Sequence, residues 1–193
     1  MQALDAQMQQ WSTRLRDDLK INSPDCNQLA TKIAAEVQML NDSVKREIEA
    51  ASPVSIRDRL DELIAFQNWM DTVRNLPQHP SIVRAQVITQ NYICFVYLGE
   101  SCFRLLKKYT PPGSATKKTC SYLTNNPIRA FRNAMAHANW RYKDDYSGIE
   151  YWARKGDNPT EPMTHWNVDQ QELSFWQSLA RTVAYASYLN LQS

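Results

Sequence analysis

With 193 residues and a formal net charge of +2, the chain has the length of one domain that buries about 70% of its unfolded surface. Its 43% hydrophobic and 22% charged residues are ordinary for a soluble globular protein, and the whole-molecule charge does not announce a nucleic-acid partner. Only four glycines occur, with no GxGxxG, Walker loop or HExxH helix, which argues against nucleotide-binding α/β enzymes and zinc proteases.

Helical periodicity dominates from the start. Leu4, Met8, Trp11, Leu15 and Leu19 form one apolar stripe on a first helix. Leu29, Ile33, Val37, Leu40, Val44 and Ile48 continue as a second helix, started by Ser23-Pro24-Asp25. Leu60, Leu63, Ile64, Met70 and Val73 mark a third, capped by Ser52-Pro53 or by Ser55. From residue 82 to residue 106 apolar residues occur nearly all round the helix, above all in Ile93-Cys94-Phe95-Val96-Tyr97-Leu98. That distribution predicts a helix inside the bundle or at a dimer interface, with Pro80 in its first turn and Pro111-Pro112-Gly113 beyond its end.

A further helix is predicted from Pro127, capped by Asn126, to about Trp140. Its backward extension through Thr119 to Leu123 is left open by the pattern. Gly148-Ile149-Glu150-Tyr151-Trp152-Ala153 and Met163-Thr164-His165-Trp166-Asn167-Val168 read as strands around the turn-rich Gly156-Asp157-Asn158-Pro159. They predict a β-hairpin inserted at about 148–168. A last helix starts near Asp169 and carries Leu173, Trp176, Leu179, Val183, Ala184 and Tyr188. The expectation is a single all-α domain over 1–193 with one small hairpin insertion.

The four cysteines, Cys26, Cys94, Cys102 and Cys120, form no CxxC pair or metal-finger spacing. Cys94 and Cys102 are expected to pack as small hydrophobes. The N-terminal segment is polar and predicts no signal peptide, and no apolar run is long enough to span a membrane. A reducing, cytoplasmic setting is expected.

Chemistry concentrates in residues 114–143, which hold Lys117, Lys118, Arg129, Arg132, Arg141 and Lys143 but no Asp or Glu. Such a segment favours a polyanion or forms a solvated basic face. At about 100° per residue, Arg129, Asn133 and His137 fall along one helical stripe, with Arg132 on its shoulder. Arg132 and His137 then point apart on one helix, so a site using both is expected across a two-fold axis. A histidine titrates near neutrality and an arginine holds phosphate. In RNA, whose 2′-hydroxyl is the built-in nucleophile, His137 would move the proton, Arg132 would hold the scissile phosphate and Asn133 would orient His137 or bind phosphate. Arg129, Arg141 and Lys143 are the expected substrate-binding cations. Small Ala134, Ala136 and Ala138 would let another helix or a substrate approach.

The run Arg132-Asn133-Ala134-Met135-Ala136-His137 resembles the RNxxxH signature of HEPN-domain proteins, a helical family that includes metal-independent ribonucleases. The resemblance implies a HEPN-like helical bundle and a homodimer with the motif helices facing each other. It also implies an endoribonuclease active site of Arg132, Asn133 and His137 that needs no cofactor or metal. A toxin of a toxin–antitoxin or defence system, with an antitoxin protein as partner, is the biological role it suggests. Family members paired with nucleotidyltransferase antitoxins carry a Tyr two residues after the motif His; here Asn139 stands there and the nearest tyrosine is Tyr142.

Two other function classes fit the same residues. One is a catalytically inactive helical module that binds RNA, a nucleotide or a partner protein, and the other is a scaffold in which Arg132 and Asn133 tie the bundle together. His79 reads as a turn residue, and His165 as structural or, if the hairpin folds over the motif helix, as lining a site. Trp140, Tyr142, Tyr151, Trp152 and Trp166, interleaved with Arg141, Lys143 and Arg154, either pack the hairpin or stack bases.

Overall fold

A computed structural model describes residues 2–51, 55–73, 85, 88–145, 147–154 and 160–191. Four helices come first: α1 (Gln2–Asp17), α2 (Cys26–Gln38), α3 (Asp42–Ala50) and α4 (Ile56–Val73). Each of the last three starts on a side-chain oxygen that accepts an otherwise unpaired helix N–H. Asp25 accepts from Gln28 N at 2.8 Å, Asn41 from Val44 N at 3.0 Å, and Ser55 from Asp58 N at 3.1 Å. Asp25 and Ser55 cap where the sequence predicts; Ser52-Pro53, His79 and Pro80 lie outside the described residues.

The single helix expected over Leu29 to Ile48 is two helices. The backbone leaves α2 at Met39, and Asn41 caps a new start. The apolar stripe crosses the break without interruption because Leu29, Ile33 and Val37 on one helix and Ile48 on the other enter the same core.

The strongly apolar stretch contains two π-helical turns, Tyr92–Tyr97 and Gly99–Phe103, closed by Leu98 N–H donating to Ile93 O and Arg104 N–H to Gly99 O. Each π-turn fits an extra residue into the helix and shifts the phase of the residues downstream. Ile93, Cys94, Phe95, Leu98, Cys102 and Phe103 are thereby all buried, while Glu100 points outward beside Arg104. The chain continues as α5 (Arg104–Tyr109), turns at Gly113 (φ 84°), and forms α6 (Ala115–Thr124) and α7 (Ile128–Ala136) as separate helices. At the N-terminus of α6 the Glu36 carboxylate accepts from Ala115 N at 2.8 Å, Thr116 N at 2.7 Å and Thr116 Oγ1 at 2.5 Å, which fastens α6 to α2.

Two expectations for the motif helix are corrected. Asn126 makes no cap; α7 begins after Pro127 with no side-chain cap bond. Nor does the helix reach Trp140, since it ends at Ala136, with His137 as the C-cap residue. Ala138 takes a left-handed conformation (φ 55°), and Asn139 N–H donates to Ala134 O at 2.9 Å. This is a Schellman ending with alanine where glycine usually stands.

That reversal frees the chain to form β1 (Trp140–Tyr142), a strand absent from the expected hairpin. It pairs antiparallel with β2 (Gly148–Arg154), which pairs with β3 (Met163–Asp169), in the order β1-β2-β3. The insertion is therefore a three-stranded antiparallel sheet, entered directly from the end of α7. Its inner face buries Ile149, Tyr151, Ala153 and Val168. The sheet packs its inner face against α7, through Tyr151 on Phe131, whereas His165 is exposed and stacks on Trp152 at 5.9 Å on the outer face, turned away from the motif helix.

The last helix, α8 (Gln170–Leu191), starts with Asp169 accepting from Glu172 N at 2.7 Å. It runs through the centre of the molecule and packs mainly along α2. Where helices and sheet meet, Phe131 of α7 is fully buried, edge-on to Phe95 (5.5 Å), Tyr151 (5.1 Å) and Trp176 (5.8 Å). Arg14 ties α1 to the bundle: it stacks on Phe175 at 4.1 Å, grips Glu172 with two nitrogens and donates to Tyr122 Oη at 2.9 Å. Cys94, Cys102 and Cys120 are buried and all four cysteines are free. No helix among the described residues is long and apolar enough to cross a membrane.

Candidate functional site

The nine residues of α7 are sharply two-sided. Ile128, Ala130, Phe131, Ala134 and Met135 are buried, so Arg129 and Arg132, three apart, share the outward face. Both look into a cleft of about 870 Å³ between the π-turn at Gly99, α5, α6 and α7. Phe95 and Leu123 lie at its floor. Among the described residues of its lining, Arg104, Lys107, Lys108, Lys117, Arg129 and Arg132 supply six cations against one carboxylate, that of Glu100. Low-dielectric walls lined mostly by one sign of charge concentrate the field between them, which favours an anion in the cleft.

Several cations are held in place. Lys107 Nζ donates to Thr124 Oγ1 at 3.3 Å and Lys117 Nζ to Thr110 O at 3.2 Å. Lys108 lies over the Tyr109 ring at 4.4 Å, with Glu47 at 3.6 Å. Glu100 bridges the two arginines: one carboxylate oxygen meets Arg132 Nη1 and the other meets Arg104 Nη1 at 2.5 Å. The Arg132 side chain keeps 27% of its exposure there. It is neither buried in a structural network nor free.

His137 lies elsewhere. Its backbone N–H closes the last turn on Asn133 O at 3.1 Å. The residue is exposed, is absent from the cleft lining and makes no side-chain hydrogen bond or ion pair among the described residues. Asn133 is half-buried between them. Of the stripe expected from Arg129 through Asn133 to His137, Arg129 lines the cleft and Asn133 and His137 do not; His137 stands at the end of the helix as its C-cap residue (φ −109°, ψ 10°). Of the three small alanines, Ala134 is consumed by the core, and only Ala136 and Ala138 are open to an approaching surface.

The expected substrate-binding cations also divide. Arg129 lines the cleft, whereas Arg141 and Lys143 border a separate depression of about 470 Å³ with Asp144, Asp145 and Glu150. Arg141 Nε is paired there with Glu150 at 2.6 Å. The acid-free run in the sequence therefore meets acids brought in by folding. Three cleft cations outside that run, Arg104, Lys107 and Lys108, come from the Arg-Leu-Leu-Lys-Lys end of the apolar helix. A basic run closing an otherwise apolar helix was the signal for them. Among the described residues no group of three His, Cys, Asp or Glu side chains could hold a metal ion. Neither a protein-family model, nor a curated protein, nor a solved structure matches this chain.

Proposed function

We propose that this chain is a metal-independent endoribonuclease of HEPN type. One observation carries the reading: Arg132 opens into a cleft whose described lining holds six cations and one acid, and His137 is solvent-accessible at the end of the same short helix. In the proposed reaction the ribose 2′-oxygen attacks the adjacent phosphorus as its proton passes to a base, and the bond to the 5′-oxygen breaks as that oxygen takes a proton. His137 serves one of these transfers, for which positioned groups contribute roughly 10² to 10⁴ in rate. Arg132 holds the non-bridging oxygens, Asn133 orients His137 or the phosphate, and Arg129 extends the binding surface. The products are a 2′,3′-cyclic phosphate and a 5′-hydroxyl.

Because Arg132 faces the cleft and His137 does not, the reading requires a homodimer in which one copy's His137 reaches the other's Arg132. The role as a toxin or defence nuclease, and an antitoxin protein as partner, rest on the RNxxxH resemblance. The cytoplasmic setting is supported by four free cysteines. A second reading, a helical module that binds RNA, a nucleotide or a protein without cleaving, is favoured by the separation of His137 from the cleft.

Cleavage of end-labelled RNA in excess chelator tests the nuclease. Wild type is expected to leave cyclic-phosphate ends, and His137→Ala and Arg132→Ala to leave the RNA intact. Mixing the two dead variants under subunit exchange is expected to restore about a quarter of the activity, since half the dimers then carry one whole site of two. No cleavage by wild type moves the assignment to the binding module, and equal cleavage by wild type and His137→Ala refutes the mechanism.

A further inference from the structure

We propose that Glu100 is an internal competitor for the cleft: a phosphate of single-stranded RNA takes its carboxylate's place between Arg104 and Arg132. The inference deepens the proposed function and rests on its reading of Arg132 as a phosphate-binding residue.

Two guanidinium groups converging on separate oxygens of one carboxylate define an anion position, and phosphate presents oxygens to such a pair in the same manner. Folding thus places the two arginines as a phosphate would need them, with a tethered acid standing in. The acid is replaceable. The side-chain exposures of Arg104, Glu100 and Arg132 are 66%, 38% and 27%, and ion pairs this open to water contribute little net stability. Phosphodiester oxygens that also meet further cations outcompete a lone carboxylate. Lys107, Lys117 and Arg129 provide those contacts along the same cleft.

The backbone makes room for the exchange. Glu100 sits in the π-turn Gly99–Phe103, the kind of helical irregularity that recurs at functional sites. A Cβ built on Gly99, which lines the cleft beside it, would meet nothing within 4 Å. That open space admits a displaced Glu100 side chain or the ligand itself. Single-stranded RNA is the fitting occupant, because six cations line a cleft of about 870 Å³, far more room than one small anion fills.

Binding of a fluorescein-labelled 2′-O-methyl RNA strand by the 193-residue chain tests this without cleavage, as that strand lacks the attacking hydroxyl. Glu100→Gln keeps the side-chain shape, removes the competitor and is expected to tighten binding about three- to tenfold at moderate salt. The slope of log K against log salt should steepen by about one as a cation is released to phosphate. Arg104→Ala should weaken binding in both backgrounds. Glu161→Gln, an exposed acid outside the cleft lining, should change it less than about twofold. Unchanged or weaker binding by folded Glu100→Gln overturns the proposal, as does equal tightening by Glu161→Gln. Tightening for inorganic pyrophosphate but not for the strand also overturns it. If Glu100→Gln fails to fold, Glu100→Asp, whose shorter side chain draws back from Arg132, is expected to tighten binding and overturns the proposal if it does not. Absence of RNA cleavage leaves these outcomes readable, so failure of the nuclease reading is distinguishable from failure of this one.

Discussion

Ala138→Gly separates two accounts of the motif helix by the sign of its effect. In the structure Ala138 is left-handed at φ 55°, and the two bonds of a Schellman ending, Asn139 N to Ala134 O at 2.9 Å and Ala138 N to Met135 O at 3.4 Å, depend on it. An L-residue in that region is strained by roughly 1–2 kcal/mol, which glycine relieves. Glycine also loses about 0.5–1 kcal/mol more chain entropy on folding, so a net gain of roughly 0.5–1 kcal/mol remains. Were the helix to continue to Trp140, as the periodicity alone predicts, the same change would place glycine in a helix interior and cost about 1 kcal/mol. Urea unfolding resolves these outcomes: with a slope of about 2 kcal/mol/M the midpoint should rise by roughly 0.3–0.5 M. Ala138→Val, β-branched at a left-handed position, should lower it. A midpoint that falls with glycine refutes the helix ending, and with it the position given to His137.

Three further changes probe what holds the cleft and the sheet. Glu36→Ala removes the acceptor of three hydrogen bonds and leaves fully buried Thr116 without its partner. A loss of about 2–4 kcal/mol in urea unfolding is expected, and markedly less for Glu36→Gln. Gly148→Ala would put a Cβ 2.4 Å from Val168 O in the neighbouring strand. The backbones must part, at a cost of about 2 kcal/mol and a fall in Tm of roughly 4–8 °C; an unchanged Tm would refute the close approach. Burial pushes the Cys94 and Cys102 thiols up from 9.0 to about 12, so the unfolded chain gives up these protons first. Their contribution is complete below about pH 9 and declines as pH rises toward 12, by up to about 1.4 kcal/mol per pH unit for each thiol. Urea midpoints measured at rising alkaline pH should fall accordingly, less steeply in a Cys94→Ala/Cys102→Ala variant, and a flat profile would contradict this burial.

The helices were legible where a stripe and a cap agree. Asp25 and Ser55 stand immediately before their amphipathic runs, and Pro111-Pro112-Gly113 ends the apolar helix next to Thr110, its C-cap. The break between α2 and α3 was hidden because Leu40 and Val44 keep the stripe in phase across it, although Asn41 carried the capping signal. Ala138 hid the end of α7 in a similar way: alanine is the best helix former, and nothing local marks it as left-handed. A helix continued through Ala138 to Trp140 leaves Trp140-Arg141-Tyr142 no room to read as a strand. The outer and inner faces of β2 and β3, by contrast, follow from simple alternation.

The site was half legible for a reason rooted in packing. Arg129 and Arg132 line the cleft from the helix that carries the motif, but Arg104, Lys107 and Lys108 belong to another helix, and no local pattern shows that Glu100 reaches across to Arg132. The separation of Arg132 from His137 is likewise set by the core. Phe131 is locked edge-on against Phe95, Tyr151 and Trp176. Rotating α7 to bring His137 round to the cleft would draw that ring out of the core, at a cost comparable to the roughly 3–5 kcal/mol of deleting it. A chain of ordinary stability, about 5–15 kcal/mol, does not make that movement in passing. Under the proposed function, a reaction that uses both side chains takes its phosphate at Arg132 in the cleft and its proton carrier from outside, which is the part proposed for the exposed His137 of a second copy.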